Sequence, residues 1–382
     1  MSSRRSATAH SWRVRLALIA GGVVLALLVG EGALRARETA LGKDRPHFVT
    51  DTTLGWRPLP NVTFNYATSL GTVEDRQNSH GMGGPDREFE KPDRTFRILV
   101  LGDSYTQALE VPYQDRFATT LERSLSQTSD LTIEVINAGV QGYGMDQEVL
   151  YYETEGRRYR PDLVLVMRFV GDVGRVLATA QIGGGGFAND KPRFRLDNDR
   201  LVLEPAPQGD LIRTLKNRLY GASALYRLVS DSWYLFTHPV GRNDPKDRAV
   251  YRTVGQGPDV EAAWALNDAL VARLSEDVAA NGSRLLIAIQ PEEIASDLAE
   301  WNAFIDTYHL EVREWDRREP DRRLTAICER RRIECLDLLA PMSTVGRAAY
   351  IPRDGHYTPL GHQTVAEELG AWLRRLGLAP AR

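Results

Sequence analysis

Short apolar runs alternate with helical stretches along most of this chain, and that alternation limits its fold more than any other feature. Arg97-Ile98-Leu99-Val100-Leu101 lacks the in-out polarity of a half-exposed strand and reads as a strand covered on both faces. Ile133 to Ile136, Leu163 to Met167 and Leu285 to Ile289 repeat the pattern, and Glu334 to Leu336 gives a shorter one. Between them lie segments of helical spacing: Phe117 to Leu125, Asp146 to Arg158 with Asp146 near its N-cap, Ala262 to Ala280, Arg322 to Arg331, and Pro359 to Leu376. Strands that alternate with helices predict an α/β/α sandwich of three layers around a mostly parallel sheet. In such sheets, sites form where the strands deliver their C-terminal ends. Ser104, Gly142, Gly171 and the loop Asp354-Gly355-His356 all fall at such ends.

Those residues carry a specific chemistry. A serine hydroxyl is a poor nucleophile at neutral pH; it needs an imidazole to take its proton and a carboxylate to orient that imidazole. Ser104 follows the first buried run, and Asp354 and His356 share one loop near the C-terminus. A helix following Ser104 would favour negative charge developing at its N-terminus. His362 is the alternative base; its place on the first turns of the last helix reads as structural. The chain has neither a glycine-rich phosphate loop ending in Lys-Ser/Thr nor a His-Glu-x-x-His motif, so no nucleotide, metal or cofactor is expected. A net charge of -3, with arginines scattered among acids, gives no footprint for nucleic acid. Cys328 and Cys335 fit no zinc spacing; pairing and two half-buried thiols both remain open.

The N-terminus departs from this pattern. Arg4, Arg5, Arg13 and Arg15 precede an uncharged apolar stretch from Leu16 to Gly30, which Val14 and Ala33-Leu34 extend. With no small-x-small site after it, a signal-anchor is favoured over a cleaved signal. Lys and Arg counts on the two flanks are similar and decide little about orientation. A short head and a large following domain favour an extracytoplasmic, periplasmic location. The expected organisation is a cytoplasmic segment 1–15, a transmembrane helix 16–34, an extended approach segment 45–95 and a main domain 96–380 with an insertion at about 177–257. The insertion holds Gly183-Gly184-Gly185-Gly186, a hairpin turning at Asp197-Asn198-Asp199, and an amphipathic, aromatic stretch from Leu211 to Phe236. That stretch either packs on the core, caps the site or touches lipid.

Gly102-Asp103-Ser104-Tyr105-Thr106 resembles the first block of the SGNH, or GDSL, hydrolases. Leu54-Gly55-Trp56-Arg57, Val111-Pro112-Tyr113-Gln114-Asp115, Asn137-Ala138-Gly139-Val140-Gln141-Gly142-Tyr143-Gly144, Pro161-Asp162-Leu163-Val164 and Asp354-Gly355-His356 extend the resemblance, in order, to a bacterial subgroup that commonly carries an N-terminal membrane segment. The resemblance implies a flavodoxin-like SGNH hydrolase fold, with Ser104 as nucleophile, His356 as general base and acid, and Asp354 as its orienter. It also implies an oxyanion hole from the Ser104 and Gly142 backbone N–H groups and a third-block asparagine side chain. Here this chain departs: Phe169-Val170-Gly171-Asp172-Val173 puts Gly171 where that asparagine is expected, leaving Asn137 or a backbone N–H as substitute donors. The implied activity is that of a serine esterase acting on an acylated carbohydrate or envelope ester. The rivals are an O-acyltransferase using the same triad, a weak or inactive binding module, and a lysophospholipase or thioesterase.

Overall fold

The computed structural model describes residues 4–40, 47–182, 188–207, 211–237 and 244–379. The four-glycine run, Gly183 to Gly186, lies outside them. The chain divides into two compact units. The larger takes in His47–Gln181, Asn189–Gly209 and Val240–Arg382, and the smaller Met1–Pro46, Ile182–Ala188 and Asp210–Pro239.

The larger unit is built on β1 (Thr95–Gly102), β2 (Thr132–Asn137), β3 (Leu163–Phe169), β4 (Arg284–Gln290) and β5 (Glu334–Asp337). They form one sheet in the order β5-β4-β3-β1-β2. Every pairing is parallel. Read from the other edge, this is the doubly wound order 2-1-3-4-5, whose direction of winding reverses between β1 and β3. The main helices are α1 (Phe117–Ser126), α2 (Met145–Thr154), α3 (Pro258–Ala280), α4 (Glu319–Arg331) and α5 (Pro359–Arg375). The period of two along β1 sends Ile98 and Val100 to one face, where Phe117, Leu121 and Leu125 of α1 and Val365, Leu369 and Leu373 of α5 cover them. Leu99 and Leu101 go to the other face, against α2, α3 and α4. Both faces are apolar because both are covered, as the unbroken runs predict.

Several local features go beyond the sequence expectation. Arg97, the first residue of the β1 run, is fully buried. Its guanidinium pairs with Glu134 of the neighbouring strand, Nε donating at 2.6 Å, and Nη1 donates to the Tyr159 carbonyl at 2.7 Å, which is what makes a charge tolerable there. Asp146 lies in the first turn of α2, two residues past its Gly144 cap, where it is buried against the ammonium of Lys191. Lys191 leads into the hairpin Arg193–Asp197/Arg200–Glu204, and Phe194 of that hairpin enters the core. This part of the expected insertion is therefore core of the larger unit. The segment expected as an approach forms two hairpins, Phe48–Asp51/Gly55–Pro58 and Thr63–Thr68/Gly71–Arg76. Trp56 donates from its indole to the Gln141 carbonyl at 2.9 Å, and the Tyr143 hydroxyl donates to the Trp56 carbonyl at 2.6 Å. Those two bonds hold the segment to the loop after β2.

Cys328 at the end of α4 is joined to Cys335 of β5 in a disulfide. The smaller unit contains the long N-terminal helix Arg4–Ala40 and the helices Leu211–Ala222 and Ala224–Thr237. From Trp12 to Ala40 the first of these is long and apolar enough to cross a membrane, with a mean hydropathy of 2.1 in its most apolar window. The aromatic stretch expected as one amphipathic segment is two helices, interrupted at Ser223.

Candidate active site

β1 ends at Gly102, and the chain turns at once into a one-turn helix, Ser104–Gln107. Gly102 has no room for a side chain: a Cβ there would sit 2.1 Å from the Thr106 hydroxyl and 3.1 Å from the Met167 carbonyl of β3. Asp103 caps the turn by accepting from the Tyr105 N–H at 3.0 Å. The helix expected after Ser104 is only this turn, closed at Ala108 in the left-handed region. What it offers a developing anion is therefore the Ser104 backbone N–H, with little macrodipole behind it.

The loop between Tyr350 and Tyr357 brings the distant pair back to this turn. A bridge between those two tyrosines closes the loop, and the Ile351 N–H donates to the His356 carbonyl at 2.7 Å. The Tyr105 hydroxyl donates to the Gly355 carbonyl at 2.8 Å, and its ring lies between Phe169 at 4.1 Å and His356 at 4.7 Å. Thr358 then caps α5, accepting from the Gly361 N–H at 3.2 Å. The outcome is a continuous relay: His356 Nε2 is 2.8 Å from Ser104 Oγ, and His356 Nδ1 is 2.6 Å from Asp354 Oδ1. Asp354 Oδ1 also accepts from the His356 backbone N–H at 3.2 Å, which fixes the carboxylate relative to the ring. His362 does not take part. It is buried against Phe117 and Tyr357, and burial pulls its imidazole down to about 3.

A second carboxylate, not singled out in the sequence, faces the same imidazole. Glu110 Oε1 is 3.7 Å from His356 Nδ1, with only 2 % of its side chain exposed against 35 % for Asp354. Burial pushes the Glu110 carboxyl up, while the His356 charge opposes the shift. Tyr66, from the strand Thr63–Thr68, stands beside it; burial and then the Glu110 charge push its phenol up. Burial alone would pull His356 down. The hydrogen bond to Asp354 and the charges of Glu110, Asp354 and Asp103 outweigh it and raise the imidazole to about 9. The sequence signal for Glu110 is an isolated acid in the apolar run Ala108-Leu109-Glu110-Val111, just past the Ser104 turn.

The expected oxyanion donors divide. The loop carrying Gly142 is docked on the Ser104 turn: the Val140 N–H donates to the Gly102 carbonyl at 3.0 Å and the Gln141 N–H to Gln107 Oε1 at 2.8 Å. Among the described residues, neither the Ser104 nor the Gly142 N–H donates to a protein acceptor. Asn137, the sequence's substitute for the third donor, is committed elsewhere. Its amide donates to the Thr106 carbonyl at 2.6 Å and its oxygen accepts from the Gly139 N–H at 3.0 Å. Gly171 opens the turn after β3. A Cβ there would lie 2.6 Å from both Glu292 Oε1 and the Phe169 ring. Glu292 cannot easily yield, since Arg248 Nη1 donates to it at 2.7 Å and the Tyr251 hydroxyl at 2.9 Å. The space an asparagine would need is thus taken by a buried Glu292–Arg248–Tyr251 cluster. Gly171→Asn is accordingly expected to leave kcat no higher than wild type and to cost about 1–3 kcal/mol of stability through overpacking. Denaturant unfolding and steady-state ester hydrolysis measure both, and a gain in kcat would refute the steric account.

No family model and no curated protein matches this chain. Solved structures similar to it include TesA, at 13 % identity and a TM-score of 0.39 over 73 % of this chain and 99 % of that one. The acetyl xylan esterase AlAXEase is similar at 13 % identity and a TM-score of 0.38, over 73 % and 100 % of the two chains. A catalytic mutant of Axe2, an acetylxylan esterase from Geobacillus stearothermophilus, is similar at 14 % identity and a TM-score of 0.41, over 75 % and 97 %.

Proposed function

We propose that this chain is a membrane-anchored serine esterase of the SGNH type, with Ser104, His356 and Asp354 as its triad. The observation that carries the reading is the relay itself: 2.8 Å from the Ser104 hydroxyl to one imidazole nitrogen, and 2.6 Å from the other nitrogen to a carboxylate. Ser104 Oγ attacks the ester carbonyl and its proton passes to His356 Nε2. The carbonyl oxygen becomes an oxyanion, for which the Ser104 and Gly142 N–H groups are the available donors. His356 returns the proton to the departing alkoxide, leaving an acyl-Ser104. Water, deprotonated by the same imidazole, then releases the acid and restores the hydroxyl. The partners that follow from this chemistry are an acylated carbohydrate or other envelope ester and, through the N-terminal helix, a membrane.

An extracytoplasmic setting is supported by the apolar N-terminal helix and by the Cys328–Cys335 disulfide, a bond that persists in oxidising compartments. A C-terminal alkaline phosphatase fusion tests it: an inactive fusion in intact cells would place the larger unit in the cytoplasm. The acyl acceptor is read by supplying an acetyl ester together with an oligosaccharide. Acetyl transfer exceeding hydrolysis would make the protein an O-acyltransferase, and a preference for long acyl chains would remove the acetyl-glycan reading.

The raised imidazole sets the pH profile. A general base works only when neutral, and a group with a pKa of about 9 is mostly protonated at pH 7. Activity as kcat/KM is therefore expected to rise about tenfold per pH unit on the acid side and to level off near pH 9. Glu110→Gln removes one of the charges that hold the proton on, so its inflection is expected at lower pH. A wild-type profile already flat at pH 7 would contradict the raised imidazole.

A further inference from the structure

The smaller unit has its polarity reversed. In the helix Leu211–Ala222 the residues at Leu211, Ile212, Leu215 and Leu219 form one stripe at helical spacing, and this apolar stripe faces outward, with Leu211 81 % exposed. In Ala224–Thr237 the stripe Leu228, Val229, Trp233 and Phe236 also faces outward, with Phe236 80 % exposed. The less exposed faces carry the polar groups, alongside Ala224, Leu225 and Tyr226. The Tyr220 hydroxyl donates to Asp231 at 2.9 Å, and Arg227 donates to the Tyr220 carbonyl at 2.8 Å and to both oxygens of Glu38. A helix pair in water buries its apolar stripe; this pair leaves both stripes exposed and keeps its hydrogen bonds on the less exposed side.

Glu31 ties the pair to the N-terminal helix. It lies just past the apolar stretch Leu16 to Gly30, where a bare carboxylate is costly in lipid. It is not bare. Its oxygens accept from the Ser223 hydroxyl at 2.8 Å and from the Ala224 and Leu225 N–H groups at 2.9 and 3.0 Å, and Arg35 donates to it at 2.7 Å. It therefore caps the helix Ala224–Thr237, and Ser223, the turn of the hairpin, sits level with the end of the apolar stretch. From there Arg227 reaches Glu38, so the hairpin runs alongside the last turns of the N-terminal helix. Helices of 12 and 14 residues are about 18 and 21 Å long, too short to cross a hydrocarbon core of ~30 Å. Lys216 and Arg218 flank the first stripe and are exposed, the arrangement that places ammonium and guanidinium groups among lipid phosphates.

We infer that the hairpin Leu211–Thr237 is a second membrane element: it lies in the interface of one leaflet beside the N-terminal helix, with its two apolar stripes in lipid. This rests on the reading of the N-terminal helix as a membrane segment. The test uses the full chain in vesicles of phosphatidylcholine and phosphatidylglycerol. Single cysteines, Leu215→Cys, Val229→Cys, Leu25→Cys and Ser126→Cys, each carry an environment-sensitive fluorophore. Among the described residues the native cysteines are bonded to each other and present no competing thiol. Acyl-brominated lipid is expected to quench Leu215→Cys and Val229→Cys at least about twofold, as for Leu25→Cys, and to leave the surface reference Ser126→Cys unchanged. Quenching at Leu25→Cys but water-like, unquenched emission at the hairpin positions would overturn the inference and leave the anchor standing. No quenching at Leu25→Cys would remove the anchor and the inference together. Emission shielded from water but insensitive to bromine, with cross-links between copies, would show that a second copy covers the stripes instead of lipid.

Discussion

Ser104→Ala is expected to lower kcat for p-nitrophenyl acetate by about 10⁴–10⁶ while leaving the fold intact. The magnitude follows from the place of the hydroxyl in the relay. Without the hydroxyl 2.8 Å from His356 Nε2 the acyl-enzyme cannot form, and the imidazole that Asp354 orients can act only on water, a far slower route. Residual activity would come from the remaining oxyanion donors and from binding, which act without the triad. The fold is spared because the turn is held by atoms other than the hydroxyl: the Asp103 cap, the Tyr105 bond to Gly355, and the Asn137 bond to Thr106. Equal rates for the variant and the wild type, with equal unfolding midpoints, would remove every catalytic reading at once. A binding module would then be the better account, and the Glu292–Arg248 cluster behind Gly171 would read as a filled, non-reactive hole. A fluorophosphonate that labels wild type and not Ser104→Ala would fix the nucleophile independently of turnover.

What could be read from the sequence follows from how local each cause is. Buried strands announce themselves because a strand covered on both faces must be apolar at every position, and β1, β3 and β4 lie where the unbroken runs predict. The first block marks Ser104 because a serine must follow a strand end tightly, and the close approach at Gly102 shows why that glycine precedes it. Asp354 and His356 come from one short loop, so their spacing carries the geometry. What escaped the sequence depends on contacts between distant segments. Asp146 reads as an ordinary first-turn acid until Lys191, 45 residues on, is found against it. Glu110 is an unremarkable acid until the loop at 351–357 lays His356 beside it. The loss of an asparagine at Gly171 reads as a simple gap, but the position is packed, because Glu292 and the segment carrying Arg248 and Tyr251 converge there from two distant parts of the chain. Helical spacing revealed the stripes between Leu211 and Phe236 but not which way they face.

The two carboxylates at His356 predict an unequal and non-additive response. Asp354 holds Nδ1–H directly at 2.6 Å, so it fixes both the tautomer and the ring orientation; where a single carboxylate does this work its loss costs about 10⁴ in turnover. Here Glu110 stands 3.7 Å from the same nitrogen and is nearly free of solvent screening. Asp354→Ala is therefore expected to lose less, about 10², because Glu110 can still accept from Nδ1–H and favour the imidazolium formed in the transition state. Glu110→Gln alone is expected to cost less than about tenfold above its pH inflection, since Asp354 remains in place. The double variant removes both acceptors, and its loss is expected to exceed the product of the single losses, reaching about 10⁴. This is the reverse of two residues acting as one unit, where the second change costs little after the first. A merely structural Glu110 would give a double variant equal to the product, with the Asp354→Ala profile unchanged in shape. A working second carboxylate leaves Asp354→Ala with an inflection that Glu110→Gln then moves to lower pH. The decisive measurement is the full cycle of four proteins, with kcat and kcat/KM followed across pH and unfolding midpoints matched. A strictly multiplicative cycle would return Glu110 to the role of a buried acid near the site.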